Sequence, residues 1–219
     1  MKKKFILAFL ALSASIAYAQ TPPAEVLELS KREDSIIKTG DLTSEQRSYL
    51  WDKTAHDRAG FLVVEVDKAY LDTIKSLVAD PAVSKEALPA LENLNLAMDH
   101  LGFSFLGNLA EDSYRYDVFY RSSNSDLIML TRWEYRNAGA AISTAEEFFN
   151  QKINGADAVL SLAIAKNQKS AIWKLTWSLN GVLYEIYQDD KIDIYGKPRK
   201  VPEDIMKVAR EVVTNITSS

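Results

Sequence analysis

The chain has 219 residues, a net charge of −4 at neutral pH and no cysteine. The acidic balance argues against a nucleic-acid partner, which requires a basic footprint. Without cysteine there is no disulfide, no cysteine-ligated zinc, no thiol nucleophile and no cysteine-linked lipid anchor.

The N-terminus carries a targeting pattern. Lys2, Lys3 and Lys4 precede the apolar run "FILAFLALSASIA", and Ala17-Tyr18-Ala19 supplies the small-x-small site read by signal peptidase. A signal peptide over residues 1–19 is therefore expected, cleaved between Ala19 and Gln20, with the product periplasmic or secreted. The apolar run is too short to span a bilayer comfortably, and no later stretch is long and apolar enough to do so. Loss of the three lysines takes the charge from −4 to −7. The mature chain, 20–219, is expected to be one soluble α+β domain. Its helical part should cover about 24–101, and its sheet-containing part about 112–219.

After the extended "TPPAE" tether, Val26, Leu27, Leu29, Ile36 and Ile37 among charges suggest a short helix over 24–38. A long helix is expected over 44–79, because Ala55, Ala59, Leu62, Val66, Ala69, Tyr70, Ile74 and Leu77 recur at steps of three and four. Within it, "GFLVVEV" could instead be a strand, since it is β-branched and follows Gly60. Helix is preferred because the apolar stripe continues on both sides. "SKEALPALENLNLAMDHL" reads as a third helix.

The pattern then switches to period two. "YRYDVFYR" and "DLIMLTRWEY" form a hairpin around "SSNS", with Arg121 opposite Asp126, Tyr120 opposite Leu127, Val118 opposite Met129 and Tyr114 opposite Trp133. "STAEEFFNQK" carries a helix-capping signature at Ser143 or Thr144. "AVLSLAIAK" is read as a strand, with helix the alternative. Residues 171–179 and 182–190 flank Asn180-Gly181, the strongest short hairpin signal. That turn pairs Leu179 with Val182, Trp177 with Tyr184, Leu175 with Ile186 and Trp173 with Gln188. Trp173 and Trp177 then belong to the core under a helix, while Lys174, Tyr187 and Leu183 lie on the mixed face, available to a partner. The last helix runs from about Pro202 to Asn215, burying Ile205, Val208, Ala209, Val212 and Val213. The fold class is thus α+β: an antiparallel sheet of about five strands in two hairpin units, with helices packed on it.

The sequence carries little that points to catalysis. His56 and His100 fall on different expected helices, no HExxH occurs, and no metal site or cofactor is expected. Asp189, Asp190 and Asp193 lack the spacing of a calcium loop, and Lys191 interrupts them. No GxSxG, SxxK or phosphate-binding loop is present, so no catalytic residue is assigned. Paired carboxylates of a glycan hydrolase stay open, because thirty acidic residues offer many pairs. Arg115, Arg121, Arg132 and Arg136 crowd the first hairpin, largely on the face opposite its aromatics. With Lys174 and Tyr187 they form the candidate surface for an acidic partner protein or an anionic glycan. The first functional expectation is a non-catalytic binding protein of inhibitor or immunity type. A cell-envelope glycan hydrolase is the alternative, and a small-ligand carrier with its pocket between sheet and helices is a third reading.

Overall fold

A computed structural model describes residues 6–8, 35–37, 56–58, 60–79, 98–105, 115–122, 126–136, 141–165, 171–190 and 201–218. In chain order the elements are β1 (Ile6–Ala8), β2 (Ser35–Ile37), β3 (His56–Arg58), β4 (Phe61–Val66), α1 (Lys68–Ala79), β5 (Asp99–Phe105), β6 (Arg115–Arg121), β7 (Leu127–Trp133) and β8 (Ala141–Ala145). A 3-10 turn (Glu146–Phe148) leads into β9 (Gln151–Ile153), β10 (Ala156–Ala165), β11 (Ala171–Leu179), β12 (Val182–Asp190) and α2 (Glu203–Ser218).

The main sheet has nine strands in the order β3-β4-β10-β11-β12-β7-β6-β5, with β9 paired to β10 off this path. It is mixed: β4 runs parallel to β10, and its other pairs are antiparallel. Asn150 fills the space beside β10 between β9 and β4. Its side chain accepts from Leu160 N (2.8 Å) and donates to Leu160 O (2.9 Å). A smaller parallel sheet has the order β1-β8-β2. Cleavage after Ala19 would remove β1 from it.

Side chains alternate across a strand, and both faces of the main sheet are covered. On one face α2 buries Ile205, Val208, Ala209, Val212 and Val213 against Leu160, Trp173, Leu175, Trp177, Tyr184 and Ile186. Phe61 meets Trp173 edge-on (4.8 Å between centroids), and Trp177 stacks on Tyr184 (5.1 Å). On the other face α1 places Leu71 and Val78 over Leu62, Val64, Ala163, Ile172 and Met129. Asp67 caps α1 by accepting from Ala69 N at 2.8 Å. Beyond α1 on that face, Ile142 of β8 joins Leu183, Tyr135 and Trp133 in a small apolar cluster.

Several expectations are corrected. The sheet is mixed rather than antiparallel, and larger than five strands. Of the helix expected over 44–79, 44–55 lies outside the described residues, and the described part is helical from Lys68; before that come β3 and β4, with Gly60 (φ +91°) in the turn between them. A positive φ suits glycine, and the β-branched run after it extends as a strand. The third expected helix ends inside β5, so His56 and His100 both lie on strands; the rest of 84–97 lies outside the described residues. Of the first expected helix, Ser35–Ile37 is strand, and 24–34 and Lys38 are outside the described residues. Ser143 and Thr144 belong to β8, and only one 3-10 turn follows. The β10 strand, the Asn180-Gly181 hairpin with its register, and the last helix with its five core residues are as expected.

Candidate functional site

The α1 face of the sheet carries an unusual amount of polarity. Register sets Asp117 beside Thr131, Thr131 beside Glu185, and Glu185 beside Thr176, in one row over β6, β7, β12 and β11. In the next row Lys174 pairs with Tyr187. The row lies between the apolar contacts of α1 and the Ile142 cluster. Asp117 is only 1% exposed and Lys174 5%.

These groups bond to one another. Lys174 Nζ lies 2.6 Å from Glu185 Oε1. The Tyr187 hydroxyl donates to Glu185 Oε2 at 3.0 Å, and Lys174 sits over the Tyr187 ring at 5.2 Å. The Thr131 hydroxyl donates to Asp117 Oδ1 at 2.5 Å. Burial opposes the charge of Glu185, yet Lys174, Arg115 and the two hydrogen bonds together hold its carboxyl below the usual range. Lys174 is likewise opposed by burial, and Glu185 above all keeps it protonated with a raised pKa. Burial raises the phenols of Tyr187 and Tyr70, the latter hydrogen-bonded to Tyr187 from α1. Asp117 goes the other way: burial pushes it up to about 6, against the Thr131 hydrogen bond and the charge of Arg115. One carboxylate of the row is compensated, while the other is raised so that it changes form in mildly acidic solution.

The arginines do not share a face. The hairpin pairs Arg121 with Leu127, one residue away from the expected Asp126, and Arg115 with Trp133. Ser122 N donates to Asp126 O (2.9 Å) and Asp126 N to Ser122 Oγ (3.3 Å), so those two residues close the loop outside the ladder. A one-residue slip exchanges the faces of one strand relative to the other. Arg115 therefore stands on the α1 face, with Nη2 4.0 Å from Glu185 Oε2. Arg132 stands on the α2 face, its Nη1 2.5 Å from Glu134 Oε1 and its guanidinium 5.5 Å from the Tyr116 ring centroid.

Three of the four arginines nevertheless gather at one end of the sheet. Arg115 opens β6, Arg132 nearly closes β7, and Arg136 follows in the next turn. Arg136 lies across the hairpin tip: a Cβ on Gly181 would come within 2.6 Å of its Cδ. Trp133, half-buried, stands among them, 6.1 Å from Tyr135. Arg121 is at the far end of β6, about 20 Å away at ~3.3 Å per residue.

Lys174 and Tyr187 are not on a surface; they and Leu183 are buried. The expectation that they face a partner is corrected, because this side of the hairpin is covered by α1 and β8 rather than by solvent. Asp117, Thr131, Glu185 and Tyr70 were not singled out from the sequence. A signal was present: Lys174 pairs with Tyr187, which puts Glu185 on its diagonal within reach of a long side chain. Of the acidic run, Asp189 is bonded to Lys75 of α1 at 2.5 Å, and Asp193 lies outside the described residues. No helix among the described residues is long and apolar enough to cross a membrane. No family model matches the chain, and no match is found among curated proteins or solved structures.

Proposed function

We propose that the protein is an exported, non-catalytic binding protein that holds an acidic surface of a partner protein against the arginine-rich end of its sheet, as an inhibitor or immunity protein would. The observation that supports this reading is the gathering of Arg115, Arg132 and Arg136, with Trp133, about the Asn180-Gly181 turn. Arginine and tryptophan are enriched at binding hot spots, and a local positive patch on an acidic chain favours an acidic partner. Arg121 provides an internal control, since the same residue type on the same hairpin stands at the opposite end.

The experiment compares binding of a labelled oligo-glutamate peptide at low salt. Arg115→Gln, Arg132→Gln and Arg136→Gln combined should weaken it about tenfold or more, and added salt should weaken the wild type. Arg121→Gln should change it less than about twofold. Equal losses at Arg121, or no loss in the triple variant, would overturn the reading. Displacement of the peptide by a sulfated glycan of higher affinity would assign the surface to an anionic glycan instead.

The hydrolase reading gains one specific pair. Asp117 and Glu185 flank Thr131 and are driven in opposite directions, the pattern of an acid and a base. Both oxygens of Glu185, however, are engaged by Lys174 and Tyr187, which suits holding the sheet together better than activating a water. Release of soluble fragments from peptidoglycan by the wild type, abolished in Glu185→Gln, would reverse this preference.

A further inference from the structure

The arginine end and the buried polar row have one residue in common. On the reading that this end binds an acidic partner, we infer that Arg115 couples partner binding to protonation of Asp117: a partner carboxylate that draws the guanidinium outward leaves Asp117 to take up a proton.

The argument is one of charge balance in a buried site. Facing Asp117 are Arg115 from its own strand, the Thr131 hydroxyl from β7, and Glu185 from β12. Beyond Glu185 stand Lys174 of β11, the Tyr187 phenol and, from α1, the Tyr70 phenol. Lys174 is committed to Glu185 at 2.6 Å. Arg115 is therefore the cation left to balance an ionised Asp117 among the described residues. With both acids ionised and both cations in place, the cluster is neutral. Moving Arg115 out leaves one uncompensated negative charge in a site of low polarity, and a proton on Asp117 restores neutrality.

Arg115 is held by fewer and longer contacts than Lys174. Its side chain is 38% exposed and its guanidinium reaches Glu185 only at 4.0 Å. Its Nε is buried without a hydrogen-bond partner, so no bond at that atom resists withdrawal. Asp117, titrating at about 6 with Arg115 beside it, is half-ionised at a pH the cell envelope meets. Binding should then tighten as pH falls from the higher midpoint of the complex towards that value and level off below it, by as much as tenfold for each pH unit that the Asp117 midpoint moves on binding.

Two measurements test this. The first follows the Asp117 carboxyl by carbon NMR across a pH series. Arg115→Gln should move its midpoint upward by about one pH unit; Arg115→Lys should largely restore it, and Arg132→Gln, on the other face, should leave it in place. An Asp117 midpoint indifferent to Arg115→Gln overturns the coupling, whatever any ligand does. The second is calorimetry of oligo-glutamate binding near pH 6.5 in two buffers of different ionisation heat. Net proton uptake in the wild type and none in Asp117→Asn is expected, and equal uptake in the two overturns the inference. Absence of peptide binding to the wild type would overturn the binding reading, while the NMR series still decides whether Arg115 and Asp117 are coupled.

Discussion

The two faces of the main sheet are built on different physics. Under α2, aromatic and aliphatic side chains fill the layer, and the Trp177–Tyr184 stack and the Phe61–Trp173 edge contact lock it. Under α1 and β8, the same strands present Asp117, Thr131, Glu185, Lys174 and Tyr187 in a bonded group flanked by apolar residues. One face is non-directional and stabilises by area removed from water. The other depends on each charge keeping its partner, because a buried ion pair contributes little net stability while its rupture is costly.

That contrast can be broken in order of expected effect. Trp177→Ala on the α2 face should destabilise by about 3–5 kcal/mol in urea unfolding; an equally stable variant would refute its place in the core. Glu185→Gln on the α1 face should cost a comparable ~3–5 kcal/mol by stranding Lys174. Here the faces diverge, since Lys174→Met combined with Glu185→Leu should recover most of the loss. A double variant as unstable as the single one would show that the pair itself carries the stability. Asp117→Asn should give the smallest effect, with a pH signature opposite in sign to that of Glu185, whose depressed carboxyl loses its stabilising contribution in acid. Because the folded carboxyl titrates at about 6 against an ordinary 3.8, ionisation opposes folding above that range and ceases to matter below it. Wild-type stability should therefore rise by up to about 3 kcal/mol from this group as pH falls from 7 to 4. Asp117→Asn should flatten that rise and be more stable than the wild type at pH 7. An unchanged pH profile would place the titration elsewhere.

The two hairpins show what was legible in the sequence. Asn180-Gly181 demands positive φ at both positions, and takes it (φ +53° and +79°); a two-residue loop leaves one register, so every pair from Leu179–Val182 to Trp173–Gln188 could be read. "SSNS" imposes no such geometry. Its loop closes through Ser122 and Asp126, the register slips by one, and the imagined arginine face divides between the two sides of the sheet. The candidate site suffered most from this, because a polar row over four strands exists only once all their registers are right. Strand β4 was hidden for a related reason. Its apolar residues at 62 and 66 suit a helical stripe as well as a strand, and its pairing with β10 leaves no local mark.

That parallel pairing also bears on how the chain reaches its native state. Leu62 finds Ser161 about a hundred residues away, so β4 bears a far larger loop-closure entropy than the hairpins around it. β6 with β7, and β10 through β12, can assemble through short loops, with β4 and the attached α1 arriving afterwards. Until they arrive, Lys174 and Glu185 remain wet and need no mutual compensation. The α1 face then dries in the last step, and amide hydrogen exchange in β4 and α1 should run ahead of that in β11 and β12. Acidity would act on this late docking, leaving the early hairpins untouched.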